Sequence, residues 1–434
     1  MAAGIELPVE PETADSLRPA QPPTPIPLLE RDHKRAAGAF PRKKLVRRTD
    51  LDYSQQLRLG MQLAFLALNV WMGVQFYQWV RWAETAGRTV AVQRPPGVEG
   101  WLPIAGLMEL KYVAVMRQWP AIHPAGLVLI SAFLLMSFLL RKSFCSWLCP
   151  VGTLSEYLWK LGRFTFGRNF GPASPARPSL ARWGGGPPHK QKQLRPGTVL
   201  DVLLRGTKYL LLGFFAYAVV MMPAAAIAGF LGGPYGLVVD VRMLDFFRFL
   251  GGTAAFVLLG LIVASIFVQN FWCRYLCPYG ALMGLASMFS PLRIRRNQTA
   301  CIDCGKCAKA CPSALPVDKL VQIRSAECTG CLECVAVCPS RDALALSHAF
   351  ARQPAPVCTP APAAGNGEAI QPAEPGCRKM GRPKGIPAWA VAAVIALLFF
   401  GFVGYAKLSD HWQTRLPQQV YFELVPRASD VQHP

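Results

Sequence analysis

Apolar residues fall in long blocks rather than alternating with polar ones, and basic, Pro-rich or Cys-rich segments separate the blocks. Residues 60–80, 124–140, 208–231, 250–271 and 386–405 are long enough to cross a hydrocarbon core of about 30 Å as helices. The second lies near the lower limit of about 17 residues. The first four blocks pair into two hairpins, and the fifth follows a Pro/Ala-rich stretch. The pattern predicts an α-helical integral membrane protein, with a pseudo-symmetric core of four helices and a fifth span. Residues 97–124 carry Glu109 and Lys111, end at His123-Pro124, and read as an interfacial or re-entrant helix. Those charges either snorkel at the membrane surface or serve a quinone headgroup as hydrogen-bond donors and proton carriers.

Composition agrees with this reading: 52% of residues are hydrophobic and 16% charged, too apolar for an ordinary soluble chain. A net charge of +21 raises nucleic acid as a partner, but its distribution argues against one. Residues 31–58 carry nine Lys/Arg against three Asp/Glu, 141–208 twelve against two, and 272–385 fourteen against seven. The intervening segments are nearly balanced: five against three in 81–123, two against two in 232–249, three against three in 406–434. Positive charge on every second loop is the positive-inside rule. It predicts a multi-pass protein of the bacterial cytoplasmic (inner) membrane, with the N-terminus cytoplasmic and the C-terminus outside. Membrane lipid, not DNA, accounts for the basic surplus. The acidic, Pro-rich opening of the chain shows no cleavable signal, so the first span reads as a retained anchor.

Cysteine spacing supplies the chemistry. Cys301, Cys304, Cys307 and Cys311, then Pro312, form C-x2-C-x2-C-x3-C-P, and the pattern returns as Cys328, Cys331, Cys334, Cys338 and Pro339. This is the bacterial ferredoxin spacing, in which the fourth cysteine of each run ligates the other cluster. Cys301, Cys304, Cys307 and Cys338 are expected to hold one [4Fe–4S] cluster, and Cys328, Cys331, Cys334 and Cys311 the second. A tetrahedral zinc site has no use for the repeated extra cysteine and Cys-Pro. Thiolates also persist in a reducing cytosol, which agrees with the charge-derived topology. The chain thus divides into a disordered basic cytoplasmic tail (1–58), a four-span membrane core (59–292) and a small α+β ferredoxin domain with two clusters (293–349). A Pro/Ala-rich linker (350–385), the fifth span (386–406) and an outer tail (407–434) follow. Cys358 and Cys377 stand alone in the linker and read as adventitious.

A second constellation repeats at an offset of 128 residues: Cys145-Ser-Trp-Leu-Cys149-Pro-Val-Gly152 and Cys273-Arg-Tyr-Leu-Cys277-Pro-Tyr-Gly280. If the preceding spans continue as helix, each pair lies on one face at the cytoplasmic helix end, closed by its proline. Pseudo-symmetry could then bring the four thiols together. Three readings stand open: a third metal or iron–sulfur centre, a redox-active dithiol, and a structural role. Haem has little support. The six histidines fall outside the apolar blocks, only His123 borders one, and C-x-x-C-H is absent.

On these motifs, across about residues 60–349, the chain resembles the membrane-bound polyferredoxins of the NapH/YccM type, of which NosR and CcoG are larger relatives. The resemblance implies a membrane electron carrier, rather than a stand-alone enzyme, relaying single electrons between the quinone pool or a membrane partner and another redox protein. Some relatives act instead in assembly, reducing a metal or disulfide for another enzyme, and this is the alternative. No flavin-binding domain precedes the core and no immunoglobulin-like domain follows it, which argues against the NosR and CcoG subgroups.

Overall fold

The computed structural model describes Arg48 and residues 52–166, 199–350 and 385–433. Most of the expected tail (1–58), nearly all of the linker (350–385) with Cys358 and Cys377, and much of the 141–208 basic loop lie outside the described residues.

The molecule is mostly helical, and prolines set where many helices begin. α1 (Ser54–Glu84) is followed by a 3-10 turn, Pro96–Trp101, then by α2 (Pro103–Met116) and α3 (Pro124–Leu140). Both α2 and α3 start on a proline, where the missing N–H costs nothing. Then come α4 (Ser143–Trp147), α5 (Pro150–Phe166), α6 (Val199–Met221), α7 (Ala224–Gly232), α8 (Pro234–Leu237), α9 (Val239–Arg248) and α10 (Gly252–Phe267). A π-helical turn, Trp272–Leu276, leads into α11 (Pro278–Met288). The Cys-rich segment holds β1 (Leu292–Arg296), α12 (Lys306–Ala310), α13 (Glu333–Ala336) and β2 (Leu344–His348), and α14 (Ala388–Leu408) and α15 (Gln418–Leu424) end the chain.

Among the described residues α1, α6 and α14 are long and apolar enough to cross a membrane. α9 and α10, bent by 83° at a short break, make a fourth if counted as one span, and α3 is a shorter apolar helix. α3 is the centre of the fold. Its residues from Pro124 to Ile130 are buried without interruption, and α2, α11 and α14 pack around it. The other long helices turn apolar side chains outward: Leu63, Val70 and Trp71 on α1, Leu210 and Phe214 on α6, Phe256 and Leu259 on α10, Leu397 and Phe400 on α14. Exposed apolar rows of this extent mark contact with a non-aqueous partner, and here they describe a membrane protein.

The helices alternate in direction. Gln62 near the start of α1, the end of α3, Lys208 of α6 and the backbone just ahead of α14 all contact the CxxxCP motifs or the Cys-rich segment. At the other end, Phe76, Trp79 and Val80 of α1 form a core with Val241, Tyr421 and Val425. The small sheet is antiparallel, pairing Leu292 with His348 through Arg296 with Leu344, and it closes the Cys-rich segment into one body.

Two expectations need correction. The 208–231 block is not one helix: α6 begins earlier, at Val199, and ends at Met221, because Pro223 cannot extend it, and the remaining apolar residues form α7. Nor do the spans run on into the CxxxCP motifs. α3 stops at Arg141, with φ 64°, and α10 stops before Asn270, with φ 54°. Each motif then forms its own short turn.

Candidate iron–sulfur sites

The ferredoxin cysteines gather as the spacing requires. Cys311, Cys328, Cys331 and Cys334 line one cavity. Cys301, Cys304, Cys307 and Cys338 line another. The exchange of Cys311 and Cys338 between the two runs is therefore present in the fold itself. The left-handed residues Gly305 and Leu332 cap α12 and α13, turning the chain so that Cys307 and Cys334 point inward.

The donor set fits an iron–sulfur cube better than a single ion. Among the described residues no three Cys, His, Asp or Glu side chains converge closely enough to hold one metal ion, yet each cavity is ringed by four soft sulfur donors. Burial pushes Cys311 up to about 12 and Cys307 and Cys331 up to about 11. Such thiols ionise only when iron displaces their protons, which couples metal binding to the folded site. Arg58, buried beside Cys331, supplies a positive charge at the rim of the first cavity and donates to Glu156.

The two cavities differ in access. Cys304 is exposed, and Cys301 and Cys338 are half-buried, whereas all four cysteines of the first cavity are buried. That buried cavity rests on the first CxxxCP motif. Ser146 Oγ donates to Thr329 O at 2.7 Å, and Trp147 Nε1 donates to Gly330 O at 3.2 Å. Gly330 has φ +63°, and a β-carbon there would stand 3.2 Å from Leu140 O, so the approach needs glycine.

The CxxxCP motifs repeat in three dimensions as well as in sequence. Cys149 N–H donates to Phe144 O and Cys277 N–H to Trp272 O, each across five residues at 2.9 Å and each 128 residues from its counterpart. Pro150 and Pro278 then open α5 and α11. The prolines thus start helices rather than simply ending them. The four motif thiols lie close together: burial, with the neighbouring thiols adding to it, carries Cys145 to about 12 and Cys149 to about 11, and raises Cys273 well up, Cys277 being among the neighbours in each case. Buried Lys142 opposes this, a cation that neither the spacing nor the resemblance singled out. Its only sequence signal is a lysine in the short polar gap ahead of Cys145. Lys142 and Lys208 also hold Glu327, next to Cys328, below the usual carboxylate range against the effect of burial, and Lys208 Nζ pairs with it at 2.6 Å.

The remaining sequence candidates separate. Glu109 and His123 meet at the far end of α3, whereas Lys111 donates to the carbonyls of Val219, Val220 and Met222 at the end of α6.

The family described as "4Fe-4S binding domain" matches residues 122–169 and 250–297, one copy per CxxxCP motif, and "4Fe-4S dicluster domain" matches 294–346. The protein of Escherichia coli (strain K12) that bears the name "Putative electron transport protein YccM" is 44% identical over 87% of this chain and 91% of its own length. The ferredoxin-type protein NapH of the same organism is 23% identical over 54% of this chain and 70% of its own. The methylamine utilization ferredoxin-type protein MauN of Paracoccus denitrificans (strain Pd 1222) is 30% identical over 45% and 56%. No solved structure matches the chain. Because the YccM match runs through both the membrane helices and the ferredoxin cavities, the chain belongs to the YccM family of 4Fe–4S ferredoxin-type electron-transport proteins.

Proposed function

We propose that the chain relays single electrons along a line of three sites. The first is the exposed cavity of Cys301, Cys304, Cys307 and Cys338, where a redox partner protein docks. The second is the buried cavity of Cys311, Cys328, Cys331 and Cys334, and the third is the set Cys145, Cys149, Cys273 and Cys277. One [4Fe–4S] cluster in each ferredoxin cavity, and a further iron–sulfur centre at the CxxxCP thiols, would supply one-electron redox chemistry. The observation that carries this reading is the seating of the Gly330 loop on Trp147, which sets the buried cavity against the CxxxCP motif.

The five apolar elements act as five spans of the inner membrane, α9 with α10 counting as one, with the ferredoxin segment on the cytoplasmic side. A quinone or membrane partner would exchange electrons near the CxxxCP thiols. The far end of α3 lies about 25 Å away by helix rise, and no cysteine intervenes along α3.

Anaerobic purification with iron and sulfide analysis and low-temperature EPR tests the proposal. Two cubes give about eight irons and three about twelve. Replacing Cys145 and Cys273 by Ser should remove only the excess over eight. Fewer than about six irons in the intact chain would sink the relay. Iron near eight that ignores those replacements would leave the CxxxCP pairs as dithiol or structural elements.

A further inference from the structure

The end of α3 opposite the cysteines buries a group of charges that electron transfer does not use. Gly126 N–H donates to Glu99 Oε2 at 3.1 Å. Arg94 bridges Glu99 Oε1 at 2.8 Å and Asp240 Oδ2 at 2.8 Å. His123 Nε2 donates to Gly236 O at 2.8 Å, so that nitrogen carries a proton. Its Nδ1 stands 3.6 Å from Glu99 Oε1, too far for a hydrogen bond, and has no other partner. Glu109 reaches the same place from α2. A β-carbon on Gly126 would lie 3.4 Å from Glu109 Oε2 and 3.6 Å from Glu99 Cβ. Glu109 is 0% exposed, no side chain reaches its carboxyl oxygens, and the donors that face them are the backbone N–H groups of His123 and Leu127.

Charge balance shows what is missing. Arg94 contributes one positive charge, and Glu99, Asp240 and Glu109 three negative ones, leaving two negative charges in excess. Ionised carboxylates without a counter-charge are not held in a dry interior. The positive N-terminal end of α3 favours one anion: Glu99 accepts from Gly126 N–H there, and the backbone N–H groups of His123 and Leu127 beside Glu109 do not offset that group's burial. Lys111 is turned away to α6, and Tyr421, the remaining titratable group facing Arg94 and Asp240, adds no positive charge. Two further protons, one on Glu109 and one on His123 Nδ1, bring the group to neutrality.

We propose that Glu109 and His123 form a proton-binding site, Glu109 as the neutral acid and His123 as the imidazolium, at the face opposite the ferredoxin cavities. Burial, and then the charge of Glu99, push Glu109 well above the usual carboxylate range. Burial works against the His123 cation, but Glu99 outweighs it and holds that residue above its ordinary value. A metal ion is a poor occupant, because no three acidic or imidazole groups converge among the described residues. The chain would then take up and release protons about 25 Å, the length of α3, from where it holds electrons.

Infrared spectroscopy of the full chain in lipid nanodiscs reads the site directly. At neutral pH the intact protein should show a carboxylic-acid C=O band that shifts in D2O. The band should be absent from Glu109→Gln, displaced in Glu109→Asp, and unchanged in Glu423→Gln, where the side chain is exposed. Nitrogen-15 NMR of histidine-labelled protein should show one imidazole protonated on both nitrogens, lost in His123→Gln. A band that survives Glu109→Gln would overturn the assignment. So would one that appears only when sodium and potassium are withdrawn, which would make a cation the ligand. A singly protonated His123 would remove it from the site.

Discussion

Within the CxxxCP motifs, two glycines at equivalent positions face different surroundings. A β-carbon on Gly152 would stand 2.5 Å from Cys145 O, a backbone atom that cannot swing away. A β-carbon on Gly280 would make only ordinary contacts, 3.5 Å from Cys277 Sγ and from Lys142 Nζ. Gly152→Ala should therefore cost about 1–3 kcal/mol, as overpacking does, and should displace Cys145 from the thiol set. Gly280→Ala should be close to neutral, helped by the better helix propensity of alanine in α11. Thermal unfolding in detergent and iron content of the two variants check this. Equal behaviour would mean that the turn around Cys145 is loose enough to absorb a methyl group. The same motif letter thus carries different constraints in its two copies, which sequence symmetry alone does not reveal.

Secondary-structure elements transmit these local constraints to the ferredoxin segment through few bonds. The buried hydrogen bond from Trp147 Nε1 to Gly330 O ties α4 to the loop holding Cys328 and Cys331. Trp147→Phe leaves that carbonyl without its donor and should cost about 1–3 kcal/mol. Hydrogen exchange of residues 328–334 should accelerate while that of α3 is unchanged. Unaltered protection would mean that Ser146 and the Arg141 contact to Ser325 suffice to seat the loop. At this scale the sequence was readable where the signal is local. The apolar block at 124–140 coincides with α3 because a proline opens it and Arg141 closes it. The crossed cysteine sets are legible because the spacing is short and rigid. The end of α6 is not legible from hydropathy alone, which runs on through Pro223. The partnership of Arg94 with Asp240 spans 146 residues and rests on packing that no local pattern encodes. Of that buried group the sequence marks Glu109 and His123, which lie in the polar-dotted 97–124 segment, whereas nothing in the local pattern marks Arg94, Glu99 or Asp240.

For the whole molecule, the buried acid at the far end of α3 makes stability depend on pH. The folded state holds the Glu109 proton more tightly than the unfolded chain does, because burial and Glu99 disfavour its anion. Wherever the folded state binds more protons, stability falls as pH rises. The contribution is fully present below the ordinary carboxylate range and is lost as pH climbs through the raised folded value. The limiting slope for one proton is about 1.4 kcal/mol per pH unit. His123, also raised, adds a loss of the same sign beginning near its ordinary range. Many other groups titrate over the same span, so the informative quantity is the difference between the intact protein and Glu109→Gln. The amide mimics the neutral acid and carries no proton to lose. The two proteins should unfold at similar temperatures in mild acid, and the intact protein should become the less stable of the two as the medium turns alkaline. Melting curves of both, recorded across that range in one detergent, decide the matter. Parallel curves would mean that Glu109 is already ionised in the folded state, and that some group other than a bound proton balances the charge of Glu99 and Asp240.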